Sequence, residues 1–196
     1  MPSQSSSFTI RHASPKDLSH LSDVLTESFY RSTDRQGNFL RRCLTDWVYP
    51  LLRYGIMLDL SSRFSENSPR YACLIATHPA NEFQAIASLE ICMRYVPLKT
   101  NHEFWLDRDM QQHPYIFNLA VHPRWRRRGV AQQLLLAAEQ TVKQWGFSRL
   151  YMHVLEDNQP ARSLYDLIGY RLHIQEGAVS YWLLGHPRKF LLQKKF

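Results

Sequence analysis

The stretch from Asn118 to Gln140 contains the residue types and spacing that could bind an anion. An apolar run typical of a strand, Tyr115–Val121, leads into this stretch. Apolar residues after Gly129 recur with helical spacing. A strand, a glycine-containing turn and a helix N-terminus make an anion site, because the first helical N–H groups lack intrahelical partners and the helix dipole is positive there. Glycine at 129 would also let a phosphate approach the backbone.

The arginines of this stretch allow two other interpretations. Arg126, Arg127 and Arg128 could be a solvated charge run in front of an ordinary core helix, or a patch that binds nucleic acid. The net charge of +7 favours an anionic partner but does not choose among nucleic acid, an anionic membrane and a phosphorylated small molecule. The run is short and no recognised nucleic-acid module surrounds it, so we expect no nucleic-acid partner.

Cysteine usage and the N-terminal residues limit the class of protein. The three cysteines, Cys43, Cys73 and Cys92, are an odd number without CxxC spacing, which argues against a disulfide framework and a metal site. The N-terminal residues lack a basic segment followed by an apolar one, so no secretory signal is expected. No run approaches the roughly 18 apolar residues of a membrane span, so no membrane partner is expected. We expect a cytoplasmic protein, or a stromal one if the source is a plant or alga.

Turn signals and apolar spacing predict the elements that would position the anion site. Ser14 can cap a helix that has Pro15 at its first position and Asp17 in its first turn. Gly146 ends the helix that follows the arginines, as a left-handed cap does. We expect strands at 8–13, 71–77, 84–95, 115–121, 149–155, 170–175 and 190–196, further helices at 39–60 (which Pro50 can interrupt) and 160–167, a polar loop at 63–70 and a long connection at 96–114.

The chain shows neither an internal repeat nor a linker that would divide it. Residues 1–7 are rich in serine, which predicts a disordered tail. Residues 8–196 are then expected to form a single domain, since 196 residues suffice for one sizeable core.

Two motifs, taken together, resemble the acetyl-CoA signature of the GNAT family of N-acetyltransferases. The first is Arg126–Ala131, which has the form R/Q-x-x-G-x-G/A two residues after "NLAVHP", and the second is "EDNQPARSLYDLIGY" at Glu156–Tyr170. The opening "TIRHASPKDLSHLSDVLTESF" is similar to the family's first strand and helix. Ala131 replaces the commoner final glycine, and Arg126 stands where many members have glutamine. The chain looks most similar to the plastid and cyanobacterial branch of the family.

The resemblance implies a fold of the α/β (α+β) class. The GNAT fold has a central, mixed and strongly twisted sheet of about six to seven strands, flanked by about four helices. A splayed pair of strands receives CoA. The family does not predict the substrate side, because the connection at 96–114 is longer here than in minimal members.

The resemblance also assigns a binding site for acetyl-CoA, the expected co-substrate. Backbone N–H groups from about Arg127 to Gln132 would hold the pyrophosphate, with Arg124, Arg126 and Arg128 as possible side-chain partners of the phosphates. Leu119 and Val121 would present backbone groups to the pantetheine arm, although their side chains equally suit a core. The full set of expected cofactor-binding residues is Leu119, Ala120, Val121, Arg126, Arg127, Arg128, Gly129, Val130, Ala131, Gln132, Asn158 and Tyr165.

Two members of the second motif have a structural alternative. Tyr165 matches the family tyrosine near the CoA sulfur, where a phenol can donate a proton to the departing thiolate; it could instead be a helix aromatic packed on the sheet. Asn158 matches the family asparagine near the start of the next helix. Asparagine is also a preferred helix N-cap whatever its function.

The incoming amine must lose a proton before it attacks, and three residues are candidates to help. His153, on the strand expected beside the thioester, is the first candidate, since an unperturbed imidazole has a pKa of about 6.5. Some relatives have a glutamate there, and a buried structural histidine is the alternative. Glu90 is the rival base, and Tyr115 could position a water.

These expectations define an enzyme that transfers an acetyl group from acetyl-CoA to a primary amine. The expected acceptor is a protein or peptide N-terminal amine or lysine, attacked directly in a ternary complex, because no cysteine falls in the motifs. A backbone N–H of the strand at Leu119–Val121 would stabilise the developing oxyanion. A small-molecule amine is an alternative acceptor, and a silent module that binds CoA or nucleic acid is an alternative class. The enzyme is expected to be a monomer or a homodimer.

Overall fold

The structure of the protein is a computed structural model that describes residues 8–28, 39–65, 68–78, 80–97, 110–176 and 187–196. The tail expected at 1–7 lies outside the described residues, as does most of the connection expected at 96–114. No helix within the described ranges is long and apolar enough to cross a membrane.

Seven strands form one mixed sheet in the order β1-β2-β3-β4-β5-β7-β6. β1 is antiparallel to β2, β7 is antiparallel to both β5 and β6, and β4 is parallel to β5. The strands are β1 (Thr9–His12), β2 (Ala72–His78), β3 (Asn81–Pro97), β4 (Met110–Val121), β5 (Arg149–Leu155), β6 (Arg171–Glu176) and β7 (Lys189–Lys195). The ladder between β4 and β5 is short, joining Tyr115 to Tyr151 and Ile116 to Met152.

Four α-helices accompany the sheet in the described ranges: α1 (Leu18–Thr26), α2 (Phe39–Ser65), α3 (Val130–Gln144) and α4 (Gln159–Leu167). Short 3-10 helices at Pro15–Asp17 and Pro123–Trp125 precede α1 and α3. A mixed sheet of seven strands with four helices confirms the fold class expected from the sequence.

Several predicted boundaries are wrong because the elements are longer. β3 continues to Pro97 and β4 begins at Met110, so both ends of the expected 96–114 connection are strand. The polar, exposed residues near these ends look like loop in the sequence, but one face of a strand tolerates them. α2 continues through Pro50 to Ser65, past its predicted end at residue 60. Arg63, in the stretch predicted as loop, holds the last turns by pairing with Asp59 on the same helix.

The start of α1 follows the predicted capping chemistry. The Ser14 backbone N–H and Oγ donate to Oδ2 of Asp17 over 2.7 and 2.9 Å, and Pro15 begins the 3-10 turn. Asp17 is 1% exposed and accepts two hydrogen bonds of 2.8 Å from the guanidinium of Arg11 on β1. The predicted cap is confirmed, and its hydrogen bonds to Arg11 had no signal in the sequence.

The chain divides into two compact units, each made of two separate stretches. The first unit comprises Met1–Glu90 and Asn118–Ala138, and the second comprises Ile91–Phe117 and Glu139–Phe196. The first has a core of Leu21, Val24, Leu25, Leu60, Cys73, Ile75, Ala85 and Ala120. The second contains a cluster of Val96, Tyr115, Tyr151 and Leu191. The single domain expected at 8–196 stays a prediction.

Candidate active site

In the first unit, the turn before α3 leaves backbone N–H groups open to an anion. Arg127 and Gly129 have left-handed backbone, with φ of 64° and 78°. The N–H of Gln133 donates to the Gly129 carbonyl over 3.1 Å, so the N–H groups of Val130–Gln132 precede the first helical hydrogen bond. No protein atom lies within 4 Å of where a Cβ at Gly129 would be. The protein itself therefore needs glycine here for its φ, and the space beside it is open to a ligand.

His122 fixes the segment that leads into this turn. Its backbone N–H donates to the Ile86 carbonyl over 2.9 Å, and its Nδ1 accepts from the backbone N–H of Arg124 over 3.3 Å. Its Nε2 lies 2.7 Å from Oε2 of Glu27, the residue that follows α1. The imidazole thus ties the 3-10 turn Pro123–Trp125 to the end of α1.

The arginines of the run have different surroundings. Arg126 is used within the protein: its Nε donates to the Val121 carbonyl over 3.2 Å, and its Nη2 lies 3.5 Å from the Ser28 carbonyl. The guanidinium of Arg128 lies over the ring of Trp125, at 4.9 Å from the centroid. Arg124 and Arg127 are exposed. The run is thus partly structural and partly available to a ligand.

The strand residues expected to contact the pantetheine arm differ in burial and in which backbone groups are already hydrogen-bonded. Ala120 is 3% exposed and packs in the core of the first unit, while Leu119 and Val121 are half-buried. The Val121 carbonyl already accepts from the hydroxyl of Ser28 over 3.1 Å and from Arg126. Both lone pairs of that oxygen are therefore occupied.

Glu90, the expected rival base, is buried among donors. It is 1% exposed, Oε2 accepts from Arg63 Nη1 over 2.8 Å and from the Tyr71 hydroxyl over 2.7 Å, and Oε1 accepts from Asn118 Nδ2 over 2.9 Å. Burial, and next the nearby Glu90 charge, raise the pKa of Tyr71, so its phenol remains a donor. Arg63, Tyr71 and the Asn118 side chain could not be predicted as a group, because their common partner is distant in sequence.

In the second unit, the structure brings His153 and Tyr115 together. Nδ1 of His153 on β5 is hydrogen-bonded to the Tyr115 hydroxyl on β4 over 2.7 Å, and their ring centroids are 5.6 Å apart. Tyr115 is 6% exposed, and the guanidinium of Arg94 lies 4.9 Å from its ring centroid. Burial raises the pKa of Tyr115, so its phenol stays protonated at neutral pH.

Tyr165 and Asn158 both belong to α4. Tyr165 is 8% exposed, and burial raises its pKa to about 12, with the nearby Tyr115 as a smaller cause. Its ring centroid lies 6.1 Å from that of Tyr170. Asn158 is the N-cap of α4, with its Oδ1 accepting from the backbone N–H of Ala161 over 3.3 Å. The structure therefore shows the capping role that the sequence left as an alternative for Asn158.

No group of three or more metal-ligating side chains occurs among the described residues. Of the cysteines whose side chains are described, Cys73 is unsuited to nucleophilic attack. Cys73 is 4% exposed, and burial raises the pKa of its thiol well above the ordinary value. Cys92 is half-buried on β3, against the cluster of the second unit.

Comparison with known proteins agrees with this fold. The chain is 30% identical over 155 residues to GCN5-related N-acetyltransferase 10, chloroplastic, of Arabidopsis thaliana, covering 77% of this chain and 60% of that relative. The chain thus spans about three-fifths of the length of that relative. This similarity to a chloroplastic protein confirms the expected plastid-type branch.

Solved structures with low sequence identity share the fold. The PaiA N-acetyltransferase of Thermoplasma acidophilum, solved with coenzyme A, matches with a TM-score of 0.62 at 19% identity, covering 97% of this chain and 99% of that one. NAA60 of Arabidopsis thaliana, solved with a bisubstrate analogue, matches with a TM-score of 0.60 at 18% identity and the same coverage. A model of the acetyltransferase (GNAT) family matches residues 54–170. This protein therefore belongs to the GNAT acetyltransferase family.

Proposed function

We propose that this protein transfers an acetyl group from acetyl-CoA to a primary amine of a protein or peptide. The observation that carries the proposal is the hydrogen bond of 2.7 Å between Tyr115 and His153. A buried phenol held on an imidazole, next to a second buried phenol at Tyr165, forms a set of groups that can move protons. A module that only binds CoA would need none of these three.

The turn before α3 fits the phosphates of acetyl-CoA. The N–H groups of Val130–Gln132 can donate to an anion at the positive end of the helix dipole, and the open space at Gly129 leaves room for it. We assign Arg124 and Arg127 to the phosphates through their side chains, because Arg126 contacts the Val121 carbonyl and Arg128 lies over the Trp125 ring. Arg126 contributes by supporting the turn, because its guanidinium contacts the Val121 and Ser28 carbonyls. Acetyl-CoA supplies an acetyl group activated as a thioester.

His153 and Tyr115 act on the incoming amine. When Nδ1 of His153 is unprotonated, the Tyr115 hydroxyl donates to it, and the Tyr115 oxygen can accept from an amine or a water. A proton leaving the amine can then pass through this hydroxyl to Nδ1. A lysine amine, with an ordinary pKa of about 10.4, needs this help more than an α-amine at about 7.8.

Tyr165 acts on the leaving group. A carbon–nitrogen bond forms as the carbon–sulfur bond breaks, His153 takes the amine proton, and the sulfur takes the proton of the Tyr165 hydroxyl. Because the pKa of Tyr165 is about 12, this proton is present throughout the neutral range. The products are the acetylated amine and the CoA thiol, and a proton lost from His153 to solvent and one taken from solvent by Tyr165 restore both side chains. We propose direct attack, because no cysteine falls in the two motifs and Cys73 is buried in the core of the first unit.

The acceptor is best identified by incubating the protein with acetyl-CoA and a mixed peptide library that contains free N-termini and lysines. Mass spectrometry then separates α-amine from ε-amine products, and a panel of amino acids and polyamines tests small acceptors. Acetylated peptides support the proposal, and acetylation confined to small amines corrects its acceptor. If CoA binds without any acetylation, the catalytic assignment is wrong.

A further inference from the structure

One buried side chain of the first unit, with hydrogen-bond partners from three segments, is a carboxylate that the reaction above does not use. Glu90 on β3 accepts from Arg63, Tyr71 and Asn118, at 2.8, 2.7 and 2.9 Å. These donors come from the end of α2, from the residue before β2 and from β4. A buried ion with three partners from three segments fixes the geometry of all of them.

One of these partners has an unusual backbone. Asn118 lies within β4 but has φ of 51°, which places it in the left-handed region. Such a residue interrupts the regular extension of a strand and persists only where its surroundings enforce it. Asparagine is among the few residues other than glycine that adopt this conformation readily. The Asn118 side chain also donates a hydrogen bond to Glu90, so both the residue type and this hydrogen bond stabilise the turn.

The turn lies immediately before the strand residues assigned to the acetyl-bearing arm. Leu119–Val121 follow Asn118 directly, and His122 then donates its backbone N–H to Ile86. The direction of the N–H and carbonyl groups between these two points depends on the φ of Asn118. The oxygen of Val121 is already taken by Ser28 and Arg126, so alignment of the remaining backbone groups matters more.

We propose that Glu90 is a positioning residue for acetyl transfer, which holds the left-handed turn of β4 through the side chain of Asn118 and so aligns the backbone of Leu119–Val121 with acetyl-CoA. The inference rests on the proposed function and deepens it. Glu90 is unsuited to be the base, because both carboxylate oxygens already accept hydrogen bonds and a proton on either would displace a donor. The charged and titratable groups around it are Arg63, Tyr71 and Cys73, and Asp59 pairs with Arg63.

Reversing the hydrogen bond between Asn118 and Glu90 tests whether Glu90 acts through Asn118. Glu90→Gln keeps an oxygen for Arg63 and Tyr71 but presents an N–H₂ group to Asn118, whose amide must turn over to accept from it, so a charge-assisted hydrogen bond becomes a weaker neutral one. We expect the Kd for CoA, measured by calorimetry, to rise about tenfold. Adding Asn118→Asp supplies a charged acceptor for that N–H₂ group, and aspartate also tolerates left-handed φ. The double variant should therefore return to within about threefold of the original Kd.

Variants of Asn118 that leave the buried charge in place provide a second test. Asn118→Gly loses the side chain but keeps access to positive φ, whereas Asn118→Ala loses both. We expect Asn118→Ala to weaken CoA binding about tenfold and Asn118→Gly by about threefold. Amide hydrogen exchange of residues 119–121 should be faster in Asn118→Ala and Glu90→Gln and slow again in the Glu90→Gln/Asn118→Asp double variant.

The pH profile of kcat/KM separates positioning from proton transfer. The profile of Glu90→Gln should keep its shape, since a positioning residue carries no proton of the reaction. Loss of the acidic limb would instead make Glu90 the base and overturn the inference. Unchanged CoA affinity and unchanged exchange in both single variants would overturn it as well. If the unaltered protein neither binds CoA nor acetylates an amine, the proposed function is wrong. Amide hydrogen exchange of residues 119–121 in the variants then still tests whether Glu90 stabilises the turn of β4.

Discussion

Two buried tyrosines near the end of α4 illustrate how location decides the function of a residue. Tyr165 and Tyr170 have ring centroids 6.1 Å apart, and both phenols are held neutral by burial, which raises the pKa of each. The Tyr170 hydroxyl is buried with no hydrogen-bond partner among the described residues. The same change, loss of one hydroxyl, can thus be made at a proposed acid and at a matched position without a catalytic role.

We expect Tyr165→Phe to lower kcat by about a hundredfold, the smaller end of the range for acid–base groups, with little change in the Kd for CoA. Tyr170→Phe should keep kcat and be neutral or slightly stabilising, because it removes a buried, unsatisfied hydroxyl. Steady-state kinetics and urea unfolding of both variants check this. Equal kcat in Tyr165→Phe and the unaltered protein would remove Tyr165 from the mechanism.

The base is tested by removing either member of the pair Tyr115 and His153. His153→Ala should lower kcat/KM by at least tenfold for a lysine acceptor and by less for an α-amine, whose pKa is lower. Tyr115→Phe should reproduce part of this loss, because it removes the hydrogen bond to Nδ1. If the two losses add fully in the double variant, the residues do not act as a pair.

At the scale of elements, Gly146, after the C-terminal end of α3, provides a matched control for Gly129 at its start. Gly129 and Gly146 have φ of 78° and 83°, and no protein atom lies within 4 Å of a Cβ at either position. Gly129→Asp and Gly146→Asp therefore introduce the same charge with similar backbone strain. Only the first places a carboxylate at the proposed phosphate site. We expect at least a tenfold rise in the Kd for CoA in Gly129→Asp alone. Similar Kd values in the two variants would reject the site.

The capped start of α1 should make stability depend on pH. The Arg11 guanidinium lowers the pKa of Asp17 from 3.8 to about 2, against the opposing effect of burial. Because the folded-state pKa is depressed, the stabilisation is present above pH 4 and is lost as the pH falls through 2. Asp17→Asn should cost about 2 kcal/mol of unfolding free energy at pH 6 and much less near pH 2.

A surface pair serves as the control for Asp17. Asp166, 78% exposed, pairs with the exposed Arg171, and such pairs contribute little. Asp166→Asn should therefore leave the unfolding free energy nearly constant over the same pH range. A loss in Asp17→Asn that does not change between pH 6 and pH 2 would contradict the charge-based account.

At the scale of the whole molecule, we expect the net charge of +7 to strengthen binding of the CoA phosphates without giving the protein affinity for nucleic acid. We expect the Kd for CoA to rise with salt, while that for pantetheine, which lacks the phosphates, stays nearly constant. Fluorescence anisotropy with short RNA and DNA should show no binding at physiological salt. Nucleic-acid affinity that falls steeply with salt and survives saturation with CoA would favour the alternative function.

The parts of the molecule that the sequence predicted are those encoded by neighbouring residues. The cap at Ser14, the turn at Gly129 and the end of α3 at Gly146 each depend on a few adjacent positions, and the structure contains all three. The role of Glu90 could not be predicted, because it depends on Arg63, Tyr71 and Asn118, which only the fold brings together. The hydrogen bond between Tyr115 and His153 likewise requires the ladder between β4 and β5.

Asn118, the left-handed residue in β4, also divides that strand into two parts whose positions are fixed by different contacts. Before Asn118, side chains such as Tyr115 are placed by the ladder with β5, and after it the backbone is held at Ile86. Removing one residue between Tyr115 and Asn118 would turn the side chains before the deletion to the opposite face of the strand. The residues after Asn118 are held separately, at Ile86, and should keep their place. We expect such a deletion to spare the proposed CoA site while removing Tyr115 from the proposed proton path.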